Sequence, residues 1–215
     1  MGGVRSGPDP MKLKHLEMRL SKIKGFSHPS AALEQYITPA PLAARLLYTA
    51  WTRGDIAGKI VCDLGCGTGM IAIGAALLGA DSVIGIDTDP DALSIAFANA
   101  EMSGVRIEWI QQVISGSGDR LPVVDTVVMN PPFGAQKEHA DRPFIDTAVT
   151  IADITYGIFN ADSYAFVKSY LQGRATINHV IASEIPIKKT HSFHTRDVVE
   201  FPVEILIIRR VLEPE

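Results

Sequence analysis

The sequence predicts a doubly wound α/β protein with a mostly parallel sheet and an antiparallel edge. Three observations carry that expectation. Short apolar runs alternate with helix-patterned segments over residues 59–171, the signature of successive βαβ units. The first run, Ile60–Leu64, breaks into Gly65, Gly67 and Gly69 and resumes as Met70-Ile71-Ala72-Ile73. That is a buried strand, a tight loop and the start of a helix. The chain closes on two strand-like runs joined by a long loop, which suits an antiparallel pair.

The elements follow in order. Residues 1–10 contain glycine and proline without periodicity and read as a disordered leader. Residues 12–24 place Leu13, Leu16, Leu20 and Ile23 at helical spacing, with Lys14, Arg19 and Lys22 elsewhere around the helix. This is an amphipathic helix packed on the domain, and its cationic face would meet phosphate if it lay near the active site. A second helix follows over 41–51, started by Pro41. Strands are expected at 59–64, Ser82–Asp87, 106–111 and 126–130, with helices at 69–78 and Pro90–Ser103. Asp89 suits the N-cap of the latter helix, Pro90 its first turn and Gly104 its end. Beyond Asn130 come a helix at 141–151, a strand at 155–159, a helix at 162–171 and strands at 179–184 and 203–211. The count is seven strands, in one domain spanning 11–215 with a helical extension at 11–50.

Composition bounds the function. At 215 residues and 47% hydrophobic, the chain is long enough for one full core. A net charge of −4 supplies no global field for nucleic acid, so any such contact must be a local patch. The two cysteines, Cys62 and Cys66, flank the glycine loop at a spacing that suits packing, not a disulfide framework or a metal site. No apolar run approaches the ~18 residues of a membrane span, and no signal-peptide pattern opens the chain. A soluble cytoplasmic protein is expected.

The glycine loop carries the first chemistry. Its nearest general pattern is the dinucleotide-binding loop, with an acidic residue about 20 positions on for ribose hydroxyls. Asp87, followed by Thr88, stands at that distance. The match to a nicotinamide site then fails. Gly69 falls one position early, and Asp63 just before the loop would repel a pyrophosphate. A carboxylate there suits an ammonium or a sulfonium. S-adenosylmethionine carries both cations and no phosphate, so the loop favours it over NAD. The contacts expected here are Asp63, Gly65, Cys66, Gly67, Gly69, Asp87 and Thr88.

The second motif is Asn130-Pro131-Pro132-Phe133, at the end of the apolar run 126–129. A strand ending this way projects the tetrapeptide from the carboxyl edge of the sheet, where open α/β sheets bind ligands. Two prolines fix φ and remove two N–H donors, leaving the carbonyls as acceptors. Asn130 Oδ1 and the Pro131 carbonyl would hold an exocyclic amine and favour a tetrahedral nitrogen facing the methyl group. Phe133 offers a flat face to a flipped-out base, worth ~1–3 kcal/mol when stacked.

Together the two motifs resemble class I methyltransferases acting on planar amino groups, whose fold is Rossmann-like. Outside them, Leu13-Lys14-His15-Leu16-Glu17, Gly25-Phe26, Leu33-Glu34-Gln35-Tyr36, Ala44-Arg45-Leu46-Leu47-Tyr48-Thr49 and Phe193-His194 resemble the methyltransferase-like-five family. The similarity runs over 11–210. It implies S-adenosylmethionine-dependent adenine-N6 methylation of small-subunit ribosomal RNA, in an archaeal-type member. It further implies that Gln35, Tyr36 and Thr38 close over the cofactor beside Asn130, and that a small zinc-binding activator protein pairs with a sheet edge. One departure stands out. Val113 occupies the place where the family has an acidic residue for the cofactor's adenine amine, leaving a backbone group or Gln112 to take that contact.

Other readings share these features. Guanine-N2 ribosomal RNA methylases and release-factor glutamine methylases use the same tetrapeptide type on a planar NH2. A non-catalytic RNA-binding scaffold could keep the fold, although an intact Asn130 speaks against it. The late loop gathers Lys188, Lys189, His191, Phe193, His194 and Arg196. Cations there suit phosphate contact. No metal site is expected.

Overall fold

The computed structural model describes residues 11–188 and 198–211. The expected leader at 1–10 lies outside the described residues. So do Lys189, His191, Phe193, His194 and Arg196.

Among the described residues seven strands form one sheet: β1 Ile60–Leu64, β2 Ser82–Asp87, β3 Glu108–Gln111, β4 Val124–Met129, β5 Ala152–Asn160, β6 Ala175–Lys188 and β7 Val198–Arg210. Their order is β3-β2-β1-β4-β5-β7-β6. The first five strands pair in parallel, while β7 runs antiparallel to both β5 and β6. The expected sheet is therefore present, and its order reverses between β1 and β4. A parallel α/β sheet opens a crevice at such a reversal, at the carboxyl ends of the strands.

Six described α-helices flank the sheet: α1 Leu13–Leu20, α2 Ala40–Thr52, α3 Met70–Leu77, α4 Pro90–Ser103, α5 Arg142–Ile151 and α6 Tyr164–Tyr170. Strand periodicity assigns the layers. Ile205 and Ile207 of β7 face the cluster built with α1, α2 and α3, whereas Leu206 and Ile208 face Ile145, Ala148 and Val167 of α5 and α6. All four are at most 1% exposed, which explains why β7 reads as a continuous apolar run. Burying each such side chain stabilises the fold by about 1.5–3 kcal/mol.

Local chemistry sets the ends of α4 as expected. Asp89 accepts from the Asp91 N–H at 2.9 Å, Pro90 occupies the first turn, and Gly104 takes a left-handed φ of 69°. The boundaries of β6 and β7 differ from expectation. They extend to 14 and 13 residues against the runs at 179–184 and 203–211, although residues 198–211 were already expected to pair with the former, and β5 likewise covers Ala152–Asn160 against 155–159. Pairing with each other carries both strands beyond the sheet, and a register shift between Ile177 and His179 breaks the alternation that would mark β6 in the sequence. A single 3-10 turn, Ala31–Leu33, was also not foreseen.

Helix α1 stops at Leu20, short of the expected 24; Leu16 and Leu20 on it and Ile23 just beyond it are buried as the spacing predicts, but Leu13 is 39% exposed. Arg19 donates to the Ser103 carbonyl at 2.9 Å, at the C-terminal end of α4. It caps a helix end remote from Asp89 instead of joining a cationic face at the active site.

Candidate active site at the carboxyl edge

A cavity of about 330 Å³ opens at the carboxyl ends of β1, β2 and β4. Its floor is the glycine loop. The Gly65 and Cys66 N–H groups donate to the Ile86 carbonyl at 2.8 and 2.9 Å, tying the loop to β2. Gly65 and Gly67 have φ of 71° and 52°, and a Cβ on either would come 2.9 Å from a ring carbon of Phe144 or Phe26. Only glycine meets both demands. Each aromatic ring thus closes against bare backbone, leaving a flat-walled slot.

Three carboxylates surround the loop. Asp87 ends β2, and its two oxygens accept from Gly67 N–H at 2.8 Å and Asp89 N–H at 3.0 Å. Each oxygen keeps a lone pair for a hydroxyl in the cavity. Burial raises the Asp87 carboxyl above its ordinary value, against the lowering effect of those N–H donors. Asp63 is 1% exposed. Its Oδ2 accepts from Ala72 N–H at 2.8 Å and so caps α3, while Oδ1 is buried with no partner. Burial pushes the Asp63 carboxyl up to about 7. Asp89 is engaged from the other side, by Gln35 Nε2 at 2.6 Å. That hydrogen bond is the leading cause holding its carboxyl below the ordinary value.

Residues 30–38 form the roof. Gln35 braces the segment by accepting Ser30 N–H at 2.8 Å while donating to Asp89. Tyr36 donates its phenol to Asn130 Oδ1 at 2.9 Å, and Asn130 Nδ2 donates to Thr38 Oγ at 2.9 Å. These partners fix the orientation of the Asn130 amide. One lone pair on Oδ1 remains for a substrate amine. Burial raises the Tyr36 phenol well above its ordinary value, so it stays a donor.

Pro131 is buried and Pro132 lines the cavity. Phe133 lies beside them, tilted 50° against Tyr36 at 5.7 Å and near-parallel to Phe201 of β7 at 6.2 Å. The free platform expected from the sequence is thus partly engaged by two other rings. Gln112, Val113 and Ile114 all line the cavity, with the Gln112 N–H donating to the Asp87 carbonyl at 2.9 Å. Cys62 and Cys66 are buried free thiols, the packing role expected of them, and burial raises both above the ordinary value.

The structure thus brings Gln35, Tyr36, Thr38, Asp63, Gly65, Cys66, Gly67, Asp87, Thr88 and Asn130 to one cavity. Gly69 serves instead as the N-cap of α3, at φ 88°. Lys188 ends β6. Several contributors escaped the sequence reading. Phe26 and Phe144 frame the loop, and Lys137 and His139 add an ammonium and an imidazole to the lining. Asn99 of α4, 1% exposed, bonds the Lys24 and Thr68 carbonyls at 2.9 Å each. That cross-tie sets Phe26 over Gly67. An asparagine on the otherwise apolar face with Ala92, Ala96 and Ala100 was its only signal.

Comparison with known proteins bears on this arrangement. A family model for ribosomal protein L11 methyltransferases matches residues 45–131, the cofactor half of the sheet. The zebrafish rRNA N6-adenosine methyltransferase METTL5 is 35% identical, over 91% of this chain and 98% of its own length. The chain belongs to the METTL5 family. An uncharacterised Methanocaldococcus jannaschii protein is 39% identical, over 94% of this chain and 95% of its own. A crystal structure from Pyrococcus horikoshii, described as a candidate RNA methyltransferase, superposes with a TM-score of 0.84. It is 36% identical and covers 94% of this chain and 99% of that one.

A METTL5-family enzyme uses S-adenosylmethionine, and the residues present fit that group. The unpartnered Asp63 Oδ1 is a buried anion acceptor at the cavity wall, suited to a cation. Asp87 is placed for hydroxyls, and Gly65 and Gly67 let the rings of Phe144 and Phe26 close on bare backbone as cavity walls. Among the described residues no group of three or more His, Cys, Asp or Glu side chains is placed to hold a metal ion. None of the described helices is long and apolar enough to cross a membrane.

Proposed function

We propose that this enzyme methylates the N6 amine of an adenine in small-subunit ribosomal RNA. The observation that carries the reading is the Asn130 side chain. It is locked by Tyr36 and Thr38 so that Oδ1 faces the cavity edge as an acceptor, next to a proline pair without N–H donors. An amine needs two such acceptors, Asn130 Oδ1 and the Pro131 carbonyl. Bonding both hydrogens draws the nitrogen out of conjugation and aims its lone pair. Bound there, the cofactor would supply a methyl group on its sulfonium: the amine nitrogen would take the methyl as the sulfur–methyl bond breaks, leaving the neutral thioether S-adenosylhomocysteine, and would lose one proton to solvent. Asp63 would hold the cationic end of the cofactor, Asp87 its ribose hydroxyls, and Gln112 or the neighbouring backbone its adenine. Phe133 and Phe201 set the plane of the target base.

The relatives named as rRNA N6-adenosine methyltransferases cover nearly the whole chain, beyond Phe133. The L11 methyltransferase family model stops at 131, before the aromatic residue that a base would meet, and an L11 methyltransferase relative covers 60% of this chain against 91% for the zebrafish rRNA enzyme. An archaeal-type member, working in the cytoplasm with a small zinc-binding activator protein on a sheet edge, goes with this reading. Sheet edges are available at β3 and β6. The late-loop cations would then grip phosphates on the RNA.

The deciding experiment is mass spectrometry of small-subunit rRNA nucleosides from wild-type and deletion strains, with the site mapped. Loss of one N6-methyladenosine, restored by the purified enzyme in vitro, is expected. An unchanged N6-methyladenosine content with loss of another methylated base would overturn the proposed substrate.

A further inference from the structure

The Glu34 side chain bonds directly to the backbone just beyond the proline pair, at Phe133 and Gln136. Its Oε2 accepts from Phe133 N–H at 2.8 Å and its Oε1 from Gln136 N–H at 2.8 Å. Pro131 and Pro132 have no N–H, so Phe133 carries the first main-chain donor after Asn130. A carboxylate, an acceptor at both oxygens, matches two converging donors in a way an amide cannot. The backbone at Glu34 is also unusual, with φ 51° and ψ 36° in the left-handed region. A non-glycine residue holds that conformation only where its surroundings impose it, and such positions cluster at functional sites.

Glu34 lines the cavity, and the turn it holds is flanked by two further lining residues, Pro132 and Lys137. Residues 32–38 line the roof of that cavity, and His139 and Phe144 line it as well. The same short roof carries Gln35 to Asp89, Tyr36 and Thr38 to Asn130, and Glu34 to Phe133. A ligand that fills the cavity and orders the roof therefore also orders the turn that presents the target amine.

We propose that Glu34 is a positioning residue that couples cofactor occupancy to the geometry of the Asn130–Phe133 motif. This rests on the proposed methyl transfer to a base amine. Glu34 touches neither the cofactor's charged end nor the reacting atoms. It holds residues 133–136 in register with the roof, so the acceptor pair is set only when the cavity is closed. The coupling is reciprocal: an RNA base seated on the motif tightens cofactor binding through the same link.

The test uses the full chain with Glu34→Ala and Glu34→Gln, checked for unchanged thermal unfolding. Hydrogen exchange at the Phe133 and Gln136 amides is followed with and without S-adenosylmethionine. Slower exchange on cofactor addition is expected in the wild type, absent in Glu34→Ala and partial in Glu34→Gln, which keeps one acceptor. Single-turnover methylation of a small-subunit rRNA transcript should fall by about tenfold or more in Glu34→Ala. Cofactor affinity without RNA should move by less than about threefold, a split that mere loss of structure would not give. Equal exchange at both amides in wild type and Glu34→Ala, with or without cofactor, overturns the coupling whatever the substrate. If the wild type shows the cofactor-dependent protection but methylates no adenine, the coupling stands and the substrate assignment fails.

Discussion

Tyr36 Oη donates to Asn130 Oδ1 at 2.9 Å, joining the roof of the cavity to the end of β4 across 94 residues of chain. The contact makes the acceptor geometry a property of two segments, not of the tetrapeptide alone. Tyr36→Phe should keep the ring against Phe133 and remove only this bond. A net hydrogen bond is worth about 1 kcal/mol, so the single-turnover rate should drop about fivefold. A wild-type rate in the folded variant would show that Asn130 is held well enough without it.

Asn130→Ala should be more severe. It removes the amine acceptor and strands the Tyr36 and Thr38 hydroxyls. Turnover should fall by about 10²-fold or more, taking loss of one transition-state hydrogen bond as the guide. Affinity for S-adenosylmethionine, read by calorimetry, should change far less than turnover. An Asn130→Ala enzyme that methylates adenine at the normal rate rules out the acceptor role.

Asp87→Ala probes the cofactor side. The carboxylate both faces the cavity and accepts from Gly67 and Asp89 N–H groups, so its loss removes ligand contacts and loosens the loop. Cofactor binding should weaken by about tenfold or more, since a hydrogen bond to a charged group is worth about 1.5–3 kcal/mol. Titration of a variant with native circular dichroism checks this; an unchanged dissociation constant removes Asp87 from the site.

Asp63 predicts a pH signature. Burial raises its carboxyl to about 7, so near neutral pH the ligand-free protein carries a partly protonated Asp63. A cation beside Oδ1 favours the carboxylate, and binding should therefore release a proton and strengthen as pH rises through 7. Calorimetry at pH 6.5 in buffers of different ionisation enthalpy measures the release, which Asp63→Asn should abolish. The stability sign is opposite to that of a salt-bridged acid. Between the ordinary aspartate value and 7 the native state holds a proton that the unfolded chain has lost, so this group's contribution declines as pH rises across that window. The thermal midpoint of wild type relative to Asp63→Asn should therefore fall from pH 4 to pH 7.

Phe133 separates stacking from packing. Phe133→Tyr keeps the ring that meets Tyr36 and Phe201, and should retain most activity. Phe133→Ala should weaken productive RNA binding by about 1–3 kcal/mol, the scale of a lost stacked base. Equal RNA affinity for the two variants, measured by filter binding, would show that Phe133 serves only the protein's own packing.

The sequence by itself determined what short-range physics decides. The sheet with its antiparallel strand, the bounds of β2 and α4, and the ends of β1, β2 and β4 were all legible there. So were the glycine loop, Asp87 and Asn130 at those ends. Each depends on periodicity or turn chemistry within a few residues. The full length of β6 was not legible, because a register shift disturbs the alternation on which such a reading depends. Tertiary structure alone decided the partners. Asp63 is both a helix cap and a buried acceptor, Asn99 ties Lys24 to Thr68, and Glu34 reaches Phe133. Phe133 itself rests against Tyr36 and Phe201. A side-chain hydrogen bond leaves no period in the chain. Its partner is set by where the fold brings distant segments within about 3 Å, and only the folded backbone fixes that distance.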